Sequence, residues 1–372
     1  MKGSVRLMGV FLVFAVFVVP AIAIATAAPS DGAVEFTSYE DQLNINERAA
    51  YDAINLARPD VRTITVVLPL ALTVTSDNLV AAHDYMLNEI RTLHNNVFRA
   101  LRLSSPLAYW GWDANSINRD IPDGLPVSDL TQNGNQYTVT TLTWKIDPAP
   151  PPGTQSKENT DVEKMIDDLK AAVDKFHTDS TTTRDKIWDI NNYLVNLITY
   201  DPYGGVNVPG ADGKTEGVFS HDAYGALVSP NVAVCDGYSE AFLLLCQKEN
   251  IECVIVYGST VSAVSGYTNH AWNYVKLDND KWYAIDVTWN DNGKGDNPYF
   301  LKGGDTFFTT HNQGVFLGDG LKPYQFNSPV ISTDDYDKAS VEPNYDLFGW
   351  IAAAVIVIII AVSLYVYSKE NK

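Results

Sequence analysis

The sequence predicts an α+β protein in which a helix bearing a cysteine packs on an antiparallel sheet bearing a histidine and an aspartate, behind a small α+β domain. Three observations predict it. After Cys235, the residues Phe242, Leu245 and Cys246 recur at helical spacing, and Leu243 and Leu244 widen the apolar stripe. Further on, His270-Trp272-Tyr274 and Trp282-Ala284-Asp286-Thr288 each alternate at period two, the pattern of strands with one shared face. Ahead of both, helical and β-branched patterns mix over residues 39–147 and stop at the proline-rich run Pro148-Ala149-Pro150-Pro151-Pro152-Gly153.

At the start of the chain, a basic n-region, an apolar run over 7–24 and the small-x-small site Ala25-Thr26-Ala27 predict a signal peptide at 1–27; an uncleaved anchor is the alternative. Residues 44–57 read as a helix closed by Arg58-Pro59-Asp60, and 61–69 as a strand. An amphipathic helix is predicted over 77–103, with Leu79, Met86, Ile90, Leu93, Val97 and Leu101 on its apolar face, then strands at 107–112 and 136–146. His83 and His94 each stand alone on that helix, so packing is expected of them, not metal binding. These elements make a small domain at 39–147, followed by a stiff linker at 148–154. Helices at 158–176 and 182–197 open a second domain, 155–325. The glycine-rich stretch that runs from Tyr203 to Ser220 is long for a compact domain and reads equally as a lid or as a surface insertion.

The second domain carries the chemistry. Asp236 and Gly237 suit a helix start, so Cys235 is expected at or just before the first turn, where unpaired N–H groups and the helix dipole favour a thiolate. The alternative for a lone cysteine is a small buried hydrophobe. A three-residue loop at Asp278-Asn279-Asp280 pairs Leu277 with Lys281 and puts His270 and Asp286 on one face; a two-residue loop separates them unless a bulge intervenes. The odd-length loop or a bulge is therefore expected. Thiol, imidazole and carboxylate on a helix and two successive strands form the constellation of a Cys-His-Asp nucleophilic site. His221-Asp222 is an adjacent pair with a weaker context than His270, and the turn Asp291 to Asp296 lacks the terminal acid of a calcium-binding loop.

These residues resemble the transglutaminase-like superfamily of papain-like thiol enzymes. The resemblance is carried by Val234-Cys235-Asp236-Gly237-Tyr238-Ser239, Asn269-His270-Ala271-Trp272-Asn273, and the run from Trp282 through Asp286 to Asp291. Asp222-Ala223-Tyr224-Gly225-Ala226-Leu227 looks like the lead-in to the cysteine, and Tyr299-Phe300-Leu301 with His311 like the closing strand and loop. The resemblance implies a papain-like core, with Cys235 as nucleophile, His270 as base and Asp286 as orienting acid. It also implies the Cys235 N–H as an oxyanion donor, Tyr224 as a further oxyanion or substrate contact, and no metal or organic cofactor. A thioester formed at Cys235 goes to water (protease or amidase) or to an amine (transglutaminase), and hydrolysis is the first expectation. An inactive cell-surface binding or structural module is the alternative.

An apolar content of 46% supports packed cores, and the formal charge of −19 argues against nucleic acid or an anionic membrane surface as partner. Cys246 and Cys253 read as separate packed thiols more than as a disulfide. The stretch 326–346 reads as a stalk, the uncharged apolar run 347–367 as a transmembrane helix edged by Trp350, Tyr365 and Tyr367, and 368–372 as a cytoplasmic tail. The expected protein is thus single-pass in the cell membrane, with its catalytic domain outside the cytoplasm facing protein or peptide substrates.

Overall fold

The computed structural model describes residues 36–56, 63–106, 130–145, 159–202, 208–209, 215–216, 220–228, 230–262, 266–313 and 326–336. The signal peptide, the strand at 107–112, the linker, most of the glycine-rich loop and the membrane run at 347–367 lie outside them. Among the described residues, no helix is long and apolar enough to cross a membrane.

The first elements are helix α1 (Ile45–Asn55), strand β1 (Thr63–Thr75), helix α2 (Leu79–Ser104), and strands β2 (Thr131–Asn133) and β3 (Gln136–Lys145). Asn44 starts α1 through a capping box: its side chain accepts from the Asn46 and Glu47 N–H groups, while the Glu47 carboxylate accepts the Asn44 N–H at 2.8 Å. The three strands form an antiparallel sheet in the order β1-β3-β2, with an irregularity between Val67 and Leu72 that lets β1 run past Pro69, where the sequence pattern had it end. Met86, Ile90, Leu93, Val97 and Leu101 of α2 are buried, as their spacing predicts, whereas Leu79, expected on the same face, is exposed at the first residue of the helix.

Next come α3 (Asn159–Lys175), α4 (Thr183–Leu197), β4 (Thr199–Tyr200), β5 (Val208–Pro209), β6 (Thr215–Glu216), α5 (Ala223–Leu227), β7 (Val232–Ala233) and α6 (Cys235–Lys248). Strands β8 (Cys253–Ser262), β9 (Gly266–Lys276) and β10 (Trp282–Ile285), helices α7 (Val287–Asn290) and α8 (Gly304–Phe307), and β11 (His311–Gln313) complete the fold. β8 to β11 form an antiparallel sheet in the order β10-β9-β8-β11. The β9–β10 hairpin closes with the odd loop: Trp282 pairs with Lys276, and the Leu277 N–H reaches the Lys281 carbonyl at 3.0 Å.

Two expectations need correction. β10 stops at Ile285 instead of continuing through Thr288, because the Asp286 carboxylate accepts the Trp289 N–H at 3.0 Å and starts α7 as its N-cap. Residues 326–336 pack on the body and do not begin a free stalk. Ser332 donates to the Trp282 carbonyl at 2.7 Å, Tyr336 to that of Leu301 at 3.0 Å, and Lys302 bridges Asp335 at 2.6 Å.

Two apolar clusters hold these elements. One joins Leu43, Ile54, Ile64, Met86, Val97 and Leu101 to Leu243, Val254, Val256, Trp272 and Tyr274, so α1, α2 and β1 share a core with the β8–β9 strands. The other joins Leu169, Ile187, Leu194, Phe242 and Leu245 to Val275, Tyr283 and Ile285. The main sheet is therefore buried by helices from both halves of the chain.

Candidate active site

Cys235 is the first residue of α6, and Val234 before it supplies no side-chain cap to the first turn. The helix start is fixed by its neighbours. A Cβ on Gly237 would lie 2.6 Å from the Ser220 carbonyl and 2.9 Å from Ala233, so glycine permits the segment before α5 to cross here. Asn273 of β9 donates to the Ser239 carbonyl at 3.0 Å, and the Tyr238 hydroxyl donates to Asp291 at 2.6 Å, tying the helix to the strand and to the turn after Asp286.

His270 is nearly fully buried on β9, and its Nε2 lies 2.7 Å from Oδ2 of Asp286, which is wholly buried. Parity and register thus bring together the pair that the sequence singled out. Burial opposes charge on the His270 ring, but the Asp286 carboxylate outweighs it; with the Cys235 thiol as a further hydrogen-bond partner, the pKa is raised to about 10. Burial pushes the Asp286 carboxyl up, and His270 followed by His311 outweigh it, holding the carboxyl well below the usual range. With Nε2 committed to Asp286, Nδ1 is the ring nitrogen left for proton exchange with the thiol.

His311 completes the surroundings of the carboxylate. Its Nε2 lies 3.1 Å from the same Asp286 oxygen, and the Thr310 hydroxyl lies 2.9 Å from its Nδ1. A carboxylate only accepts, so His311 donates through Nε2–H and takes the threonine proton at Nδ1. Burial holds this ring below its ordinary pKa, which keeps it neutral. The imidazole stacks on Phe307 at 3.9 Å and meets Trp289 at 4.7 Å and Trp272 at 5.0 Å. In the sequence His311 falls in a closing loop without a role; only the pairing of β11 with β8 brings it to Asp286. Gly258, opposite His270, permits that pairing, since a Cβ there would sit 2.2 Å from the Asn312 carbonyl.

His270, Asp286 and His311 offer ligand atoms within 4.8 Å of one another and so form the one cluster among the described residues suited to a metal. The 2.7 and 3.1 Å separations are those of hydrogen bonds, whereas two ligands about 2.1 Å from a tetrahedral zinc stand roughly 3.4 Å apart. The cluster therefore reads as an oriented carboxylate. Tyr224, expected as an oxyanion or substrate contact, is on α5 with Asp168 and Lys164 of α3 as its charged neighbours. The phenol that senses the site is that of Tyr200: burial, and after it Cys235, Asp236 and Asp286, push its pKa up. Parallel pairing of Tyr200 with Ala233 brings it there, a long-range contact with no local signal in the sequence. His221 pairs with Asp236 at 2.9 Å, not with its neighbour Asp222.

The family model described as the transglutaminase-like superfamily matches residues 170–287. No curated protein matches the chain. Among solved structures, a protein titled as a TGase is similar at 18% identity and a TM-score of 0.23, over 43% of this chain and 43% of its own. A candidate cysteine protease from Cytophaga hutchinsonii is similar at 11% identity and a TM-score of 0.23, over 43% of this chain and 61% of its own. A candidate protease from Parabacteroides distasonis follows at 9% identity and a TM-score of 0.21, over 43% and 38%. The chain spans less than two thirds of the length of each.

Proposed function

For a chain that carries a transglutaminase-like superfamily domain at residues 170–287, we propose the activity of a thiol acyl-transfer enzyme working through Cys235, His270 and Asp286. The observation that carries this reading is the buried His270, hydrogen-bonded to Asp286 at 2.7 Å, with Cys235 at the start of α6 among the groups that raise its pKa. In the proposed cycle the Cys235 thiolate adds to a peptide or carboxamide carbonyl, and the Cys235 N–H and the Tyr200 hydroxyl face the oxyanion. His270 then gives its proton to the departing amine as the C–N bond breaks, leaving a thioester. Water, deprotonated by the same imidazole, cleaves the thioester and restores the thiol. Hydrolysis is favoured over transfer to an amine because water needs no second binding site. The substrates are proteins or peptides outside the cell, with the body held at the membrane through residues 347–367 and no cofactor required; this placement rests on the sequence signals alone.

The test is site-resolved iodoacetamide labelling of the full chain in detergent, read by mass spectrometry. Cys235 should label at pH 6 much faster than Cys246 and Cys253, and His270→Ala should slow it by about 100-fold or more. Equal, slow labelling of all three cysteines in both proteins would leave an inactive surface module as the better account.

A further inference from the structure

The position after the nucleophile is an unfavourable one for an acid. Asp236 is buried in the first turn of α6, Glu240 is wholly buried one turn on, and Asp222 is buried at the start of α5. Glu240 accepts the Ala223 N–H at 3.1 Å, which draws the three carboxyl groups into one cluster under the Cys235 end of the helix. A negative charge on Asp236 repels the charge that must form on the adjacent sulfur. Part of the compensation comes from outside the 170–287 domain. Arg102, in the last turn of α2, places Nη2 2.7 Å from Asp236 Oδ2 and Nε 3.6 Å from Glu240 Oε1. Its guanidinium also lies 5.2 Å over the ring of Tyr257 on β8, which holds the fork against the main sheet. On the more exposed side, His221 Nδ1 lies 2.9 Å from both Asp236 oxygens. Arg102, His221, Asp222, Asp236 and Glu240 meet here beside Cys235, with Tyr257 under the guanidinium and Tyr200 as a further phenol within reach of Asp236.

We infer that Arg102 is a positioning residue for the Cys235 centre: by neutralising Asp236 it allows the thiolate to form, which makes α2 a working part of the site. The inference rests on the thiol-enzyme reading above and gives the N-terminal elements a task. Burial pushes the Asp236 carboxyl up, but His221 and Arg102 outweigh it and hold it below its ordinary range, so it carries the charge that needs an answer.

The experiment is the same labelling of Cys235 in the full chain, at pH 7, on a charge cycle of variants checked for folding by circular dichroism. Arg102→Met should slow labelling at least tenfold, Arg102→Lys should keep most of the rate, and Arg102→Met combined with Asp236→Asn should recover most of the loss, because the charge next to the sulfur is then gone and burial pushes the Glu240 carboxyl up, toward its neutral form. If Arg102→Met fails to fold, the double variant is compared with Asp236→Asn alone, and adding the arginine change should cost little. Wild-type labelling in Arg102→Met, no recovery in the double variant, or a further tenfold loss on the Asp236→Asn background overturns the inference. A wild-type Cys235 no more reactive than Cys246 overturns the enzyme reading with it, whereas a reactive Cys235 that depends on His270 but ignores Arg102 leaves that reading intact.

Discussion

Asp286 organises the site at the scale of single residues. It accepts from His270, from His311 and from the Trp289 N–H, so a wholly buried carboxylate has donors on both oxygens. Such an arrangement offsets the cost of burying the charge and leaves the His270 ring one orientation. Its pH dependence follows from the folded His270 pKa of about 10, against about 6.5 for an unfolded imidazole. Below about 6.5 both states hold the proton and the ion pair contributes fully; the contribution is lost as pH rises through about 10. The melting-temperature advantage of wild type over His270→Phe should therefore shrink steadily between pH 7 and 10. A gap that stays flat across that range would show that the ring is not held charged in the folded protein.

At the scale of elements, the site depends on two close approaches. The odd β9–β10 loop sets the parity of His270 and Asp286, and Gly258 lets β11 lie close enough for His311 to reach the same carboxylate. A Cβ at residue 258 would sit 2.6 Å from the Trp272 ring as well as 2.2 Å from the Asn312 carbonyl, and a backbone carbonyl has little room to yield. Gly258→Ala should therefore cost about 1–3 kcal/mol in urea denaturation and also slow Cys235 labelling, since β11 carries His311 away with it. Unchanged urea stability would mean that β11 is free to shift. The hairpin was legible to within an odd loop or a bulge, because turn length and period are local properties. The end of β10 was not, because the same Asp286 that continues a period-two pattern is also a good helix N-cap, and the cap won.

At the scale of the whole molecule, the described residues fall in one compact unit, and α1, α2 and β1 share an apolar cluster with the β8–β9 strands. Polar links cross the same seam: the Tyr39 hydroxyl donates to the Ile255 carbonyl at 2.8 Å, and Gln247 donates to that of Ser104 at 3.0 Å. A shared core predicts shared unfolding. Urea melts followed by accessibility of Cys246, buried in α6, and of a cysteine placed at Ala82 in α2 should have coincident midpoints. Separate midpoints would identify two independent folding units.

The sequence by itself determined most elements of the candidate site: the helix starting near Cys235, the period-two faces carrying His270 and Asp286, and the amphipathic face of α2; between an odd loop and a bulge, the structure chose the odd loop. Each is set by spacing within a few turns or one loop, where 3.6- and 2-residue periods and turn length leave little freedom. Tertiary structure alone decided which further side chains surround them. Tyr200 came within the influence of Cys235, His311 joined Asp286, and Arg102 reached Asp236 from a helix far back in the chain. Those meetings depend on parallel pairing of β4 with β7, antiparallel pairing of β11 with β8, and docking of α2 on the main sheet. Such long-range contacts are fixed by the burial of apolar surface across the whole unit, which leaves no periodic trace at the residues it brings together.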